Sequence, residues 1–476
     1  MTRVDASPPA GAREASPVAP LPVAGRRVGV LGLARSGEAV ARLLADRGAS
    51  VYASDVGKDD GLAEAAERLR ELGVEVDLGR HDPQRLAACE WLVASPGIPP
   101  TAPVFELPEV ADKRVVGEVE VAFRAAEAPV AAITGTNGKT TTTALLGAVA
   151  KEAGFAVEVA GNIGRAFSEA VLERGAVDWY VLEVSSFQLA RIEAFRPRVA
   201  VVLNLAPDHL DRYPDFETYA ADKARITENL GEGDALVLNA EDPTVAAFGA
   251  DGSVERHFFH RHSPVERGAM VEEGWIALVD EPDPGRVVRA DGLKIPGAHN
   301  LQNALAATVA AARMGIDRDT IAGALTRFPG VPHRLEIVHE ADGITWVNDS
   351  KATNVGSTEV ALEAFDRPLI VILGGKHKGS PYGPLAPRLA ESARAVLAIG
   401  QAAPTIVEQL SDAVEVEDVG TLERAVERAR ELARSGDVVL LSPACSSYDQ
   451  FTDFEERGER FRALVAGSDE AREGAA

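Results

Sequence analysis

A chain of 476 residues is too long for one hydrophobic core and predicts about three domains. Its 46% hydrophobic and 26% charged residues are typical of soluble globular proteins. The formal net charge of −24 opposes binding to nucleic acid or to an anionic membrane, so we expect neither as a main partner. Two cysteines, Cys89 and Cys445, exclude a disulfide framework and a thiolate zinc cluster. Because the first residues also lack the apolar centre of a secretory signal, we expect a cytoplasmic protein.

The pattern between the two ends of the chain predicts an α/β fold. Short apolar runs alternate with amphipathic helical segments, which is typical of parallel sheets covered by helices. The composition of both ends, rich in small and polar residues, predicts disorder there. The expected division is a disordered leader at 1–22, domains at 23–116, 117–331 and 332–468, and a disordered tail at 469–476.

The first domain opens with the segment VLGLARSGEAV, a strand that turns into a helix. Gly32, Ala34 and Gly37 form a GxAxxG turn, and Asp55 ends the next strand, SVYASD. A dinucleotide-binding fingerprint has this form, but Ala34 keeps the backbone further from a pyrophosphate than glycine would. The motif alone would also fit a nicotinamide dehydrogenase, although that function leaves the rest of the chain unexplained.

The second domain begins with a glycine-rich loop, AITGTNGKTTT at 132–142. A strand that delivers such a loop into a helix places backbone N–H groups and the positive helix end around an anion. Lys139 then supplies a charge and Thr140 a hydroxyl for Mg²⁺, which predicts an ATP-type site. The strict phosphate-loop template requires glycine at 133, where this chain has Ile133. An ordinary strand-turn-helix with an exposed lysine is therefore the alternative.

Polar residues follow the next two apolar strands of this domain. Glu183 ends WYVLEV, and a carboxylate buried there is costly unless a cation is near, so a Mg²⁺ ligand is expected. The loop of VVLNLAPDHLDRY adds Asn204, Asp208, His209 and Asp211. Lys223, on a predicted helix, would repel Mg²⁺ as an ammonium ion, so it is either exposed or converted to an anion. Residues 252–295 predict short antiparallel strands.

Seven motifs occur in order between residues 134 and 451: TGTNGKTT, LEVSSFQL, LNLAPDHLDRY, GAHNLQNALAA, PHRLE, NDSKATN and LSPACSSYDQF. Together they resemble the Mur ligase family. The resemblance implies three α/β domains: an N-terminal Rossmann-like domain, a central P-loop mononucleotide-binding domain and a C-terminal Rossmann-like domain. NDSKATN and SPACSSYDQF resemble the branch that adds D-glutamate to UDP-N-acetylmuramoyl-L-alanine in peptidoglycan precursor synthesis.

The resemblance also implies a role for individual residues. For catalysis it implies Lys139, Glu183, His209 and Lys223. For ATP it implies Gly135, Thr136, Asn137, Gly138, Lys139, Thr140, Thr141, Thr142, Asn303, Arg334 and Asp349. For the UDP substrate it implies Leu33, Ala34, Arg35, Asp55, Ser95, Gly97 and Asn162. For D-glutamate it implies Lys351, Thr353, Lys378, Ser447 and Phe454. For Mg²⁺ it implies Thr140, Glu183, His209 and Lys223, the last as a carbamate.

The segment GGKHKGS departs from the family pattern, because Lys376 and His377 precede Lys378. Spacing favours Lys378 over Lys376 as the D-glutamate ligand. The implied reaction is ATP-driven amide formation through an acyl phosphate, with ATP and Mg²⁺ as cofactors, and we expect a monomer. A nucleotide-driven motor or a binding scaffold would use the loop at 132–142, but neither needs the clusters further along the chain.

Overall fold

The structure is a computed structural model that describes residues 21–173, 175–209, 212–250, 252, 254–295, 297–377 and 379–473. The chain forms two compact units. One unit comprises residues up to 292 together with 302–326, and the other comprises 293–301 and the residues from 327 onward. The first unit contains two sheets and the second unit contains a third. No helix in the described ranges is both long and apolar enough to cross a membrane.

The first sheet has five parallel strands in the order β3-β2-β1-β4-β5. The strands are β1 (Arg27–Leu31), β2 (Ser50–Asp55), β3 (Glu75–Leu78), β4 (Trp91–Ala94) and β5 (Val115–Gly117). The helices are α1 (Arg35–Asp46), α2 (Asp60–Glu71), α3 (Pro83–Ala87), α4 (Pro108–Ala111) and α5 (Glu118–Ala125), with a 3₁₀ turn at Pro103–Glu106. The strand order reverses between β1 and β4, and ligands bind to such sheets at this reversal.

The second sheet has nine strands in the order β14-β13-β12-β11-β10-β9-β6-β8-β7. The strands are β6 (Val130–Thr134), β7 (Val157–Gly161), β8 (Trp179–Glu183), β9 (Val199–Val202), β10 (Ala235–Asn239), β11 (Glu255–His260), β12 (Gly268–Glu272), β13 (Trp275–Val279) and β14 (Gly285–Arg289). The helices are α6 (Lys139–Glu152), α7 (Phe167–Leu172), α8 (Ser186–Leu189), α9 (Phe216–Ala224), α10 (Pro243–Ala246), α11 (Ala298–Arg313) and α12 (Arg318–Arg327), with 3₁₀ turns at Arg225–Thr227 and Ala290–Gly292.

The strand β6 occupies the position that matters for function, because it lies between β8 and β9 and is buried along its whole length. A strand covered on both faces carries a continuous apolar run, which explains why its sequence does not alternate. All three strands are parallel, so their carboxyl ends meet at one edge of the sheet. The loops that follow β6, β8 and β9 therefore lie together.

The prediction of antiparallel strands at 252–295 is right for β12, β13 and β14, which pair antiparallel. It is wrong for β11, which pairs parallel with both β10 and β12. The chain leaves β10 through α10, and a crossover of this kind returns the next strand in the same direction.

The third sheet has six strands in the order β15-β16-β20-β17-β18-β19, and only β15 is antiparallel to its neighbour. The strands are β15 (Glu336–Ala341), β16 (Ile344–Asn348), β17 (Leu369–Gly374), β18 (Ala393–Ile399), β19 (Val416–Gly420) and β20 (Val438–Leu441). The helices are α13 (Val355–Leu362), α14 (Ala386–Ser392), α15 (Ala403–Leu410), α16 (Leu422–Leu432) and α17 (Phe454–Glu473), with a 3₁₀ turn at Gly383–Leu385. The helix α17 extends to Glu473 and so includes part of the stretch 469–476, for which disorder is predicted. Three sheets with helices in the connections between their strands confirm the predicted α/β fold class.

Candidate active site

The loop between β6 and α6 has the backbone of a phosphate-binding loop. Gly135 and Gly138 adopt φ values of 143° and 84°, which an L side chain rarely adopts, and Gly138 directly precedes α6. Ile133 still belongs to β6, where it pairs with Glu183 and Val201. The turn therefore begins two residues after the position at which the strict template requires glycine, and Gly135 supplies the unusual conformation.

Two lysines converge on this loop. The Nζ atom of Lys139 donates to the carbonyl oxygens of Gly135 at 3.0 Å and Thr136 at 2.7 Å. The Nζ atom of Lys223 donates to the same Gly135 carbonyl at 2.8 Å. Lys223 is only 2% exposed, so the alternative of a surface lysine does not hold. Burial, followed by the charge of Lys139, holds the pKa of Lys223 well below its usual range.

Glu183 is buried at the end of β8 and accepts hydrogen bonds from neutral donors. Thr140 Oγ1 donates to Glu183 Oε2 at 2.8 Å, and Asn162 Nδ2 donates to Glu183 Oε1 at 2.8 Å. Among the described residues Glu183 makes no direct ion pair, although its charge opposes the lowering of the Lys223 pKa. A buried carboxylate is normally balanced by a cation, and carboxylate and hydroxyl oxygens are the ligands that Mg²⁺ prefers. Glu183 and Thr140 therefore fit a magnesium ion.

The described residues do not form a ready-made metal site. Within the ranges that the structure describes, no group of three or more His, Cys, Asp and Glu side chains could hold a metal ion. A cation beside Glu183 would thus need ligands of other kinds, such as hydroxyl groups, nucleotide phosphates or a modified lysine.

His209 lies in the loop after β9, in a left-handed conformation with φ 53°. Its ring lies edge-on to Phe187 at a centroid distance of 4.9 Å, and its Nε2 is 3.6 Å from Asp208 Oδ2. The Tyr219 ring, whose hydroxyl contacts Thr136 of the phosphate loop, lies 6.4 Å from that of His209. The side chain is about half exposed and so is accessible to a ligand. Asp211, expected in the same loop, lies outside the described residues.

Tyr219 is a residue of this site that the sequence reasoning missed. Its hydroxyl is 3.0 Å from Thr136 Oγ1, and its ring lies 4.8 Å from Lys223 Nζ. The contact with Lys223 follows from the helix α9, on which Tyr219 and Lys223 are four residues apart and therefore share a face. That spacing within FETYAADK was the signal available in the sequence.

Asn204 ties the phosphate loop to the strand β9. Its side-chain oxygen accepts from the Asn137 N–H at 2.8 Å, and its carbonyl accepts from the Thr136 N–H at 2.8 Å. Asn303, on α11, reaches the other side of the loop, since Thr142 Oγ1 donates to its Oδ1 at 3.3 Å. Thr141 is buried in α6. The residues of the first unit that are predicted to bind ATP therefore lie next to one another around the phosphate loop.

The residues predicted for the UDP substrate surround the reversal between β1 and β4 in the first sheet. Ala34 caps α1, and Ser95 and Gly97 follow β4. The Leu33 N–H donates to Asp55 Oδ2 at 2.7 Å, while the Leu33 side chain is buried in the core. Leu33 can therefore offer a ligand little besides its backbone.

Arg35 extends from α1 to the loop after β7. Its guanidinium donates to the carbonyls of Gly164 and Asn162. Asn162 thus contacts Arg35 through its backbone and Glu183 through its side chain. This residue joins the predicted UDP-substrate residues to the predicted metal ligands.

In the second unit, the structure places two of the predicted D-glutamate residues together. Lys351 Nζ lies 5.5 Å from the centre of the Phe454 ring. Thr353 follows in the same loop, and Ser447 is buried after β20. Lys378 lies outside the described residues. Lys376, the alternative to it, lines a cavity of about 440 Å³ with Gly400, Gln401, Gly420, Tyr448, Asp449 and Gln450.

Arg334 and Asp349, predicted to contact ATP, also belong to the second unit. Asp349 is buried and accepts from Ser442 Oγ at 2.8 Å and from the Leu335 N–H at 3.2 Å. Burial raises the pKa of Asp349 to about 7, although the charge of Arg334 and these hydrogen bonds oppose the rise.

Three protein families match successive parts of the chain. They are described as Mur ligase MurD-like, N-terminal domain, at residues 26–117; Mur ligase middle domain, at 133–311; and Mur ligase, glutamate ligase domain, at 333–445.

Curated relatives match over nearly the full chain. A UDP-N-acetylmuramoylalanine--D-glutamate ligase from Pelotomaculum thermopropionicum is 44% identical over 92% of this chain and 97% of its own length. The protein of that name from Myxococcus xanthus is 43% identical over 94% of this chain and 99% of its own length.

Solved structures share the fold at low identity. A pseudomurein peptide ligase type C from Methanothermus fervidus is 22% identical, with a TM-score of 0.57 over 93% of this chain and 99% of its own. A MurF ligase from Thermotoga maritima, solved in complex with ADP, is 18% identical, with a TM-score of 0.57 over 95% of this chain and 96% of its own.

Proposed function

Because the chain belongs to the Mur ligase family, we propose that it is an ATP-dependent ligase that joins D-glutamate to UDP-N-acetylmuramoyl-L-alanine. The reaction belongs to peptidoglycan precursor synthesis. The choice of D-glutamate is supported by the names of relatives that are 44% and 43% identical to this chain. We also propose that the enzyme acts in the cytoplasm, where its two buried thiols, Cys89 and Cys445, would stay reduced.

One observation carries the proposal: Lys139 and Lys223 both bind the Gly135 carbonyl at the start of a loop that opens a helix, beside a buried glutamate. The ammonium group of Lys139, the backbone N–H groups and a helix end at one place fit a phosphate group. The neighbouring carboxylate, Glu183, fits the metal ion that accompanies a nucleoside triphosphate. Such a site suits phosphoryl transfer.

In the first step, a carboxylate oxygen of the L-alanine residue attacks the γ-phosphorus of ATP. The bond from that phosphorus to ADP breaks, and an acyl phosphate forms. Lys139 and the N–H groups of the loop stabilise the negative charge that grows on the transferring phosphoryl group. Without this activation a carboxylate is too poor an electrophile to form an amide.

Magnesium would be held by Glu183, Thr140, His209 and a carbamate on Lys223, and when bound it would neutralise charge on the phosphates. The environment of Lys223 favours the modification, because only a neutral amine can attack carbon dioxide and the pKa of Lys223 is lowered. The resulting carbamate would be an oxygen anion in place of a buried cation.

In the second step, the neutral amine of D-glutamate attacks the acyl carbon, and inorganic phosphate leaves with the electrons of the carbon–oxygen bond. The accessible imidazole of His209 is our candidate for the group that accepts the amine proton, a role open to it only while it does not bind the metal. The two carboxylates of D-glutamate would be bound by Lys351, Lys378, Thr353 and Ser447. Phe454 would fix the Lys351 ammonium group through its ring.

The proposal is tested by measuring phosphate release from ATP and UDP-N-acetylmuramoyl-L-alanine. We expect release to depend on D-glutamate, and L-lysine, diaminopimelate and L-alanine should not replace it. Hydroxylamine should trap a hydroxamate of the activated substrate. Equal phosphate release with and without D-glutamate would contradict the assignment.

A matched pair of lysine variants tests the role of the loop. Lys139→Ala should reduce turnover by about 10²-fold or more, since it removes a group that stabilises transition-state charge. Lys151→Ala changes an exposed lysine at the other end of the same helix and should leave turnover unaltered. Equal activity of the two variants would exclude the proposed phosphate site.

A further inference from the structure

Arg457 is an arginine of the second unit that is completely buried and that the proposed mechanism does not use. It lies one turn after the start of α17. Its guanidinium donates to Ser350 Oγ at 2.9 Å, the Ser350 carbonyl at 2.8 Å, the Cys445 carbonyl at 3.2 Å and the Gly374 carbonyl at 3.4 Å.

These acceptors belong to three different loops. Ser350 follows β16, Gly374 ends β17, and Cys445 follows β20. The three strands are parallel neighbours, so their loops emerge at one edge of the sheet. Two of these loops carry residues proposed to bind D-glutamate, Lys351 and Thr353 on the first and Ser447 on the third. The second carries Lys376, the alternative to Lys378.

Burying the charged guanidinium of Arg457 costs desolvation free energy, which a residue that only filled space would not require. No carboxylate of the described residues forms a direct ion pair with Arg457, and these four acceptors are a hydroxyl and carbonyl oxygens, although the charges of Asp449 and Asp349 act on it. Burial lowers the pKa of Arg457 to about 10, so it remains charged at neutral pH. The desolvation cost of a buried charge is offset only by well-directed hydrogen bonds, so a role in precise geometry is the better explanation for this cation.

The loop after β17 is built closely around the guanidinium. A Cβ atom on Gly375 would lie 3.1 Å from Arg457 Nη1 and would overlap the Ser446 carbonyl. Gly375 also has a φ of 135°, which disfavours any other residue. A second link reaches α17 itself, because Ser350 Oγ donates to the Phe454 carbonyl at 2.8 Å.

We propose that Arg457 is a positioning residue for D-glutamate: it fixes the loops after β16, β17 and β20 relative to one another, and with them the side chains that bind the amino acid. The inference rests on the proposed function. A planar guanidinium can bond to acceptors in several directions at once, whereas the smaller ammonium group of lysine cannot reach all of them.

The test compares Arg457→Lys with Arg460→Lys. Arg460 lies on the same helix but is exposed, where it pairs with Glu423 at 2.8 Å. In Arg457→Lys we expect the KM for D-glutamate to rise about ten-fold or more, with the KM for the UDP substrate changed less than roughly two-fold. The residues proposed for the UDP substrate belong to the other unit, so that constant serves as an internal control. Arg460→Lys should match the wild type in both.

Ser350→Ala provides a milder variant that is expected to fold. It removes one acceptor of Arg457 and the link to Phe454, so the KM for D-glutamate should rise about two- to five-fold. An unchanged KM for D-glutamate in Arg457→Lys would overturn the inference. A parallel rise in both KM values, with a lower unfolding midpoint, would show a general structural role and would overturn it too.

Failure of the proposed function has a separate signature, because the wild type would then form no amide with D-glutamate. If the wild type uses another amino acid, the same pair of KM values measured with that amino acid still decides the role of Arg457.

Discussion

Lys223 and Arg457 are both buried basic side chains, one in each unit, but their surroundings differ. Lys223 donates to one carbonyl, that of Gly135, which Lys139 also contacts, and it lies over the ring of Tyr219. Arg457 has four acceptor contacts on three loops. The pKa of each falls through burial, but that of Arg457 only to about 10.

This difference in surroundings means that Lys223 can lose its proton and react, whereas Arg457 stays charged at neutral pH. Lys223 has little to hold its proton, which suits a lysine that reacts as a neutral amine. The guanidinium of Arg457 keeps its charge, and each of its N–H groups has a defined direction. We therefore expect substitutions at Lys223 to affect chemistry and those at Arg457 to affect stability and geometry.

The largest expected effect comes from Lys223→Arg, which keeps a positive charge but cannot form the carbamate. We expect turnover to fall by about 10²- to 10³-fold, as when a group that stabilises transition-state charge is lost. Lys223→Ala should be equally impaired, and a short carboxylic acid should partly restore it by replacing the carbamate. Phosphate release measures both. Near-normal activity of Lys223→Arg would mean that Lys223 acts as a simple cation.

A second effect is the pH dependence caused by Asp349, whose pKa is raised by burial against the opposing charges of Arg334 and, more weakly, Arg457. The folded-state pKa of about 7 exceeds the ordinary value of 3.8, so between these values only the folded protein retains the proton. Its free energy of unfolding should therefore fall as pH rises, by at most about 4 kcal/mol, relative to Asp349→Asn.

Urea unfolding of the wild type and Asp349→Asn at pH values from about 3 to 8 measures this difference. Below the ordinary pKa of the carboxyl group both states bind the proton, so the difference should be constant there. A difference that is constant over the whole range would show that Asp349 ionises normally.

Methionine variants of Arg457 and Lys223 should differ most clearly in their free energy of unfolding. Arg457→Met should lower the free energy of unfolding by about 3 kcal/mol, because it leaves buried acceptors of three loops without their donor. Lys223→Met should change it by less than about 1 kcal/mol, because Lys139 still donates to the Gly135 carbonyl. Urea unfolding of both variants provides the measurement. Equal losses would contradict the contrast drawn between the two sites.

The smallest effect is expected for Arg460→Ala on the surface of α17. Arg460 and Glu423 are 51% and 40% exposed, and exposed ion pairs are weak. The free energy of unfolding should change by less than about 0.5 kcal/mol, and raising the salt concentration should reduce the change further. A larger loss would mean that the Arg460–Glu423 pair contributes more than an exposed ion pair usually does.

Much of the phosphate site could be predicted from the sequence, because its parts are short and local. The run from Ile133 to Lys139 contains a strand, a glycine turn and a helix start, each with its own residue preferences. The prediction that Glu183 lies near this loop needed one further step, that two parallel strands end at the same edge. The direction of β11 could not be read in this way, since the same short apolar run fits either direction.

Arg457 was beyond the reach of sequence reasoning. Its acceptors Ser350 and Gly374 are 107 and 83 residues away along the chain, and an arginine in an acidic helix start reads as a surface residue. Which atoms surround it depends on the order of strands in the third sheet, which is set by the packing of the whole sheet.

The sequence by itself determined the α/β class, the phosphate loop and the positions of its lysine and carboxylate, because backbone preferences and hydrophobic periodicity act over a few residues. Only the tertiary structure decided which buried basic side chain, Lys223 or Arg457, has one acceptor and which has four. That outcome depends on contacts between distant segments, whose free energies are gained together when the sheets pack.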